Sequence, residues 1–517
     1  MSNQKFRITW LHSGALKNEN HGNFLQRVWK PCSLWQNDPL IDVTALSVHA
    51  PEAFEHSLNC DLLVVIQCNI HWLWYVIQHR KQASLATLYE INDDIASLGD
   101  WLPATHPLKS PLTRQHLLNL AHCCDAVLFS SPELAKYYEA LHPIRLVTAP
   151  WVDPLPVIPL EKEGFVIGWG GSTTHRDDLL WVAPALAKFL NAHPDARFSI
   201  MGCNDTLSEF LNALPTAQVS HVPFGDETDY FSFLQSLHVG IAPLKDTRFN
   251  RCRSDGKFVQ YAINGCASLL SDSPAFSAHH ERAILFDSPE AMYDGLVQLY
   301  RHRSLLNQLA DKAYHWVREH RSPTVVKHHL QTIFSMFLPQ QPKTVRDERT
   351  PWPEAHRKTW WHIHSAMNEK HHEQSIALCH ALLEKQPDLP QVRWLLIRNL
   401  LAANRKEQAL AATDTHTDNS IWADEFLALA YAIAPPSDNG LKESLLEKVQ
   451  HPLKRLQLQG LPKQDLEGHF RRTLEWLPYD YFSLFGLIAI LQKHHPETEE
   501  LTALRARAGL IVPEASQ

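Results

Sequence analysis

The chain has 517 residues, 44% of them hydrophobic and 20% charged, with a formal net charge of -8. That length calls for roughly three domains of ~150 residues, and the composition is that of an ordinary folded protein rather than a disordered or fibrous one. The acidic balance provides no basic footprint for neutralising phosphates, so nucleic acid is excluded as the expected partner.

Met1 to Leu11 carries Lys5 and Arg7 but no apolar run of signal-peptide length. No later stretch approaches the ~18 apolar residues of a membrane span, so a cytoplasmic protein without a transmembrane segment is expected. The nine cysteines are an odd number without CxxC spacing, and Cys68, Cys123, Cys124 and Cys266 lie in apolar runs where a thiol acts as a small hydrophobe. None of the 32 histidines, including the doublets at His279, His328, His371 and His494, falls in a metal-ligand motif, and no metal is expected.

In chain order, residues 1–150 alternate β-rich runs with helical stretches, the pattern of βαβ units on a parallel sheet. The expected strands are Phe6 to Leu11, Asp61 to Gln67, Ala86 to Ile91, Ala126 to Ser130 and Ile144 to Thr148. A connector from Trp151 to Pro159, with Pro154, Pro156 and Pro159, interrupts both helix and central strand. A second α/β domain over 151–338 then carries strands at Phe165 to Trp169, Arg197 to Met201, Val219 to Val222, Val239 to Pro243, Ser268 to Ser271 and Ile284 to Phe286. Its first long helix, Leu179 to Ala192, is expected to kink or shorten at Pro184. Two doubly wound halves predict a ligand cleft beyond the strand carboxyl ends.

A polar, proline-rich linker over 339–353 is followed by helices alone over 354–517. Glu373-Gln374-Ser375-Ile376-Ala377 returns as Glu407-Gln408-Ala409-Leu410-Ala411, an offset of 34, the tetratricopeptide period. Phe470 to Gln492, with Pro478, has the same helix, turn, helix outline. Such repeats stack into a concave surface suited to a protein partner.

Two stretches carry chemistry. Phe165 to His175 reads FVIGWGGSTTH, a strand entering a glycine-rich turn before a helix, where backbone amides and the helix N-terminus favour an anion. It matches neither the dinucleotide fingerprint nor the Walker pattern. Ala242 to Gly265 places a basic loop after a strand, with Ser254 as the expected N-cap of a helix bearing Arg253 and Lys257 on one face. The helix dipole does not favour cations at that end, so a bound anion explains them better.

Together, IGWGGSTTH and APLxDxxFNxxRSxxKxxxYAxxG resemble the donor-binding half of glycosyltransferase family four, strongly over 164–272 and more weakly across 5–335. The resemblance implies a GT-B fold, two Rossmann-like domains, here followed by an all-α helical-repeat domain. It implies a retaining transferase that uses a nucleoside diphosphate sugar as donor, with no cofactor and no metal, and a glycan or protein as acceptor. Gly170, Gly171, Ser172 and His175 would lie at the donor, Arg253 and Lys257 would neutralise its leaving diphosphate, and Ser254 would face the same anion. Where the family often has a pair of glutamates, this chain has Cys252 and Gln260; the amide of Gln260 can still bond a ribose hydroxyl, whereas Cys252 cannot replace a carboxylate. Tyr89-Glu90-Ile91-Asn92-Asp93-Asp94 resembles the acidic segment of some members, in which Asp93 or Asp94 would orient the acceptor or act as base. A non-catalytic scaffold built on a degenerate transferase fold is the alternative; a GT-B epimerase or phosphorylase fits less well.

Overall fold

The computed structural model describes residues 5–13, 24–70, 72–152, 164–202, 207–342, 352–414, 420–434, 437–462 and 464–513. Most of the expected connector at 151–159 and of the linker at 339–353 lies outside the described residues.

Two six-stranded parallel sheets form the α/β part. The first contains β1 (Phe6–His12), β2 (Ile41–Ser47), β3 (Leu62–Ile66), β4 (Ala86–Ile91), β5 (Ala126–Phe129) and β6 (Arg145–Val147), in the order β2-β1-β3-β4-β5-β6. The second contains β7 (Phe165–Gly171), β8 (Ala196–Gly202), β9 (Val219–Val222), β10 (Val239–Ala242), β11 (Ala267–Ser271) and β12 (Ile284–Phe286), in the order β12-β11-β10-β7-β8-β9. Helices cover both, so central strands such as Leu-Leu-Val-Val-Ile in β3 are buried along their whole length and read as continuous apolar runs. Two Rossmann-like domains in the GT-B manner, followed by helices alone, are thus the observed architecture. β2 is the strand that the sequence reading lacks. It lies at the sheet edge, where Ile41, Val43 and Ala45 alternate with Asp42 and Thr44 as in a half-buried strand.

Helix Arg176–Ala192 runs through Pro184, so the expected shortening there does not occur. Pro184 is on the exposed side, so the Leu180 carbonyl that loses its partner is not sealed in the core.

Packing departs from the expected division at 338. Helix Pro323–Ser335 returns to the first domain, where Phe334 packs 5.7 Å from Trp10 and 5.5 Å from Trp35. Lys327 pairs with Asp38 at 2.8 Å, and His329 Nε2 lies 3.0 Å from the Val147 carbonyl. The helices from Glu354 onward also share one apolar core with the first domain. Trp360 Nε1 donates to the His49 carbonyl at 2.6 Å, the Trp422 ring lies 5.3 Å from Phe54, and the Tyr479 N–H and hydroxyl donate to Asn119 Oδ1 and the Ala140 carbonyl. Among the described residues no helix is long and apolar enough to cross a membrane.

Candidate active site at the interdomain cleft

The order of the second sheet reverses between β7 and β10, and the crevice outside the strand ends at such a point is where α/β folds bind ligands. A cavity of about 270 Å³ opens there, walled by Trp169 from β7 and by Ala242, Pro243 and Leu244 at the end of β10. Arg253, Ser254, Lys257, Gln260 and His175 complete the second-domain wall, and Gln26 and Arg27 close it from the first domain. The first sheet reverses between β1 and β3, and a larger cavity of about 680 Å³ lies at that point, bounded by His12, Gln67, Asn92 and Asp93.

Helix Gly256–Ile263 buries Phe258, Val259, Tyr261, Ala262 and Ile263, which leaves Lys257 and Gln260 on the cavity side. The Lys257 ammonium donates to the Gly170 carbonyl and, at 3.1 Å, to the Tyr230 hydroxyl. It also lies 5.6 Å and 5.4 Å from the Trp169 and Tyr230 ring centroids. Burial, helped by the Arg253 charge, pulls its pKa down to about 7. Gln260 Oε1 accepts from the same Tyr230 hydroxyl at 3.2 Å.

Ser254 is not the helix cap. The N-cap is Asp255, and its carboxylate is held 3.0 Å from both His279 Nε2 and Arg321 Nη2. Arg253 therefore stands in the turn before the helix rather than on one helical face with Lys257. Its guanidinium donates to Thr174 Oγ1 at 3.3 Å, lies over the Phe249 ring at 4.6 Å and sits 3.5 Å from Asp93 Oδ1. Its Nε is buried with no acceptor among the described residues.

Asp178, buried in the first turn of its helix, ties the two motifs together. Oδ1 accepts from the Lys245 N–H at 2.9 Å and from Asn250 Nδ2 at 2.8 Å, which fixes the basic loop, while Oδ2 lies 2.9 Å from His175 Nδ1. Burial lowers the His175 pKa to about 4 despite that contact, so the imidazole is neutral.

Asp93 and Asp94 part company. Asp94 is 1% exposed and spent on structure: it accepts from the Ala96 N–H, the Ser97 and Tyr138 hydroxyls and, across the domain boundary, from Arg248 Nη2 at 3.3 Å, and it forms an ion pair with Arg248 Nε at 2.8 Å. An acceptor-orienting role for Asp94 is corrected by that geometry. Asp93 is half-buried, lines the larger cavity and faces Arg253, so this pair stands between the two cavities. Burial raises the Asp93 pKa, against the pull of Arg253 and Arg27.

Of the expected donor residues, His175, Arg253, Ser254, Lys257 and Gln260 converge on the smaller cavity, whereas Gly170, Gly171 and Ser172 are not on its lining. Gly170 presents its carbonyl to Lys257, Gly171 packs where a Cβ would lie 2.7 Å from the Trp169 ring, and Ser172 Oγ bonds Thr174 Oγ1 at 3.0 Å. Cys252 is buried away from the cavity, and its carbonyl accepts from Ser131 Oγ at 2.7 Å. The sequence reading missed Arg27, Tyr230 and Asp178. Arg27 follows no motif; it reaches the cleft because Val28 anchors its helical turn, and it lies 3.6 Å from Glu90.

No protein-family model matches the chain, and no curated protein does. Several solved structures are similar to it. TarM shares 9% identity at a TM-score of 0.43, the match covering 54% of this chain and 55% of TarM, so the chain spans about half the length of that protein. HepE of Anabaena in complex with UDP-glucose shares 11% identity at a TM-score of 0.49, over 64% of this chain and 99% of its own. An O-GlcNAc transferase mutant of Thermobaculum terrenum shares 14% identity at a TM-score of 0.44, over 65% and 68%.

Proposed function

We propose that the chain is a retaining glycosyltransferase that moves a hexose-like sugar from a nucleoside diphosphate sugar to an acceptor hydroxyl without a metal ion. The observation that carries this reading is the charge of the smaller cavity. Arg27, Arg253 and Lys257 line it, and no carboxylate is among its described lining residues. Glu90 and Asp93 lie 3.6 and 3.5 Å from Arg27 and Arg253 on the first-domain side, but among the described residues Lys257 meets only the Gly170 carbonyl and the Tyr230 hydroxyl. A buried cation so placed is costly, and a bound diphosphate supplies its counter-charge. The buried Nε of Arg253 adds an unspent donor on that wall.

On this reading the bond from the anomeric carbon to the phosphate oxygen breaks, and its electron pair leaves with the diphosphate. Arg253 and Lys257 stabilise that charge, and Ser254 adds a hydroxyl. The acceptor oxygen bonds the anomeric carbon on the same face, and its proton passes to the departing phosphate oxygen. Asp93 orients the acceptor from the adjoining cavity. Lys257 and Arg253 do the neutralising that Mg²⁺ does elsewhere. The helical region is read as tetratricopeptide-like, working in the cytoplasm beside the catalytic pair.

Nucleoside diphosphates and their sugars are expected to raise the melting temperature by mass action. Arg253→Ala and Lys257→Ala are each expected to lower turnover about a hundredfold, for a term of ~3 kcal/mol in comparable sites. No thermal shift with any nucleotide at millimolar concentration, or near-normal turnover in both variants, would overturn the reading. The second reading, a non-catalytic scaffold, is favoured by Cys252, whose buried position carries no carboxylate to the donor. It predicts nucleotide binding without release of nucleoside diphosphate from any donor sugar.

A further inference from the structure

We infer that the first helix of the helical region, Glu354–Asn368, is a wall of the acceptor site, with Trp361 as its specificity-determining residue and an uncharged saccharide chain as the acceptor. The inference rests on the reading that the smaller cavity takes the donor. The larger cavity is built mainly from first-domain residues, yet Trp361 and Arg357 of this helix also line it. At about 680 Å³ it falls in the range of pockets that enclose a ligand of several rings.

Its chemistry selects against charge. Asp93 is paired with Arg253, and Arg357 with Glu52. The His12 imidazole is kept neutral, its pKa lowered to about 4 by burial and by His49. What remains is a set of neutral amides and hydroxyls, among them Gln67, Asn69, Asn92 and Thr113, together with aromatic faces at Trp29 and Trp361. Trp29 is 52% exposed, which leaves an indole available to a ligand. Hydroxyl-bearing rings with one apolar face match that combination, since they use both donors and acceptors and stack on indole. A phosphorylated or acidic acceptor would find no unpaired cation on the described lining.

The Glu52–Arg357 pair also borders a neighbouring cavity of about 820 Å³, which is lined by Trp352 and by the 385–391 turn of the helical region. The two cavities share that pair as a common wall. Asp93, where transfer would occur, and Trp361 thus line one cavity that the Glu52–Arg357 pair closes off from its neighbour. A cavity of that volume suits a chain of more than one sugar better than a single ring.

The full-length protein is titrated with methyl α-glucoside, methyl β-galactoside, methyl β-N-acetylglucosaminide, maltose and cellobiose. Binding is followed by saturation-transfer NMR, and UDP and GDP binding by calorimetry. At least one saccharide is expected to bind the native protein, with a disaccharide tighter than its single ring. Trp361→Ala is expected to weaken that binding about tenfold. Trp361→Phe keeps most of it, which separates stacking from misfolding, and both variants leave nucleotide affinity unchanged. Absence of saccharide binding to the native protein, or equal binding by the Trp361→Ala variant, overturns the inference. So does selective binding of extended peptides in place of saccharides. Loss of nucleotide binding with saccharide binding intact would instead remove the donor reading and leave the Trp361 wall standing.

Discussion

Lys257 is the residue most sensitive to what fills the smaller cavity. Its ammonium is packed among Trp169, Tyr230 and the Gly170 carbonyl, and its pKa is drawn down from 10.5 to about 7 by burial and by Arg253. A diphosphate favours the charged form and so raises that pKa again. Nucleotide binding near neutral pH is thus expected to take up a proton. Affinity for UDP or GDP should be nearly flat below pH ~7 and weaken as pH rises above it, by up to tenfold per unit until the pKa of the bound state is passed. The same shift acts oppositely on the empty protein. Between about 7 and 10.5 the unfolded chain holds a proton that the native one has lost, so this residue makes stability rise with pH across that window. Calorimetry in buffers of different ionisation enthalpy measures the proton uptake, and Lys257→Met should abolish it. Uptake unchanged in that variant would assign the proton to another group. None of this was legible from sequence beyond the choice of a cation, because the shift depends on Tyr230 and Trp169 being brought to the same spot.

Elements place these groups more than motifs do. The apolar run from Phe165 and the alternation of strands and helices made both sheets readable, since a buried central strand needs an unbroken run of apolar residues. β2 escaped because an edge strand is only half buried and shows a weaker alternation of Ile41, Val43 and Ala45. Ser254 was misread as a cap. The helix begins one residue later than Ser254 suggests, and Asp255 at the N-cap position makes no capping bond to the helix, because its carboxylate is taken by His279 and Arg321 from distant elements. The glycine-rich turn closes β7 as the sequence suggests, and its glycines meet the cavity through Lys257 and Trp169 rather than on its lining. Gly170 and Gly171 end β7 and allow Lys257 and the Trp169 ring to approach the strand closely. A Cβ on Gly171 would lie 2.7 Å from Trp169 and 3.5 Å from Lys257 Nζ. Gly171→Val should therefore displace that ring and ammonium, lowering nucleotide affinity about tenfold or more although it removes no functional side chain. Unchanged nucleoside diphosphate affinity in calorimetry would show that the end of β7 has room to spare and that the donor lies elsewhere.

For the whole molecule, sequence period reveals that helices pair but not what else they touch. The polar, proline-rich stretch over 339–353 reads as a boundary, and from it the catalytic pair would be expected to fold alone. The observed packing argues the reverse, because the helices beyond it cover first-domain side chains that are otherwise apolar and large. Phe54, Trp72 and Trp74 are 3%, 5% and 6% exposed within the shared core, with Trp422, His451 and Trp476 among their covering rings. Uncovering such a side chain costs roughly 1.5–3 kcal/mol, so three of them consume much of the ~5–15 kcal/mol that holds a domain folded. Hydrogen bonds are lost as well: the His49 carbonyl loses Trp360, and Asn119 Oδ1 loses the Tyr479 N–H. A chain ending near Arg346 is therefore expected to be insoluble, or to melt well below the full-length protein, rather than to be an active core without its dock. Substituting Trp422→Ala in the full chain probes the same interface without deleting it, and should lower the melting temperature while nucleotide affinity at low temperature stays near normal. A soluble truncated protein with an unchanged melting temperature would mean that these contacts hold the helices on the first domain without supporting it, and the helical region would then return to the role of a separable module.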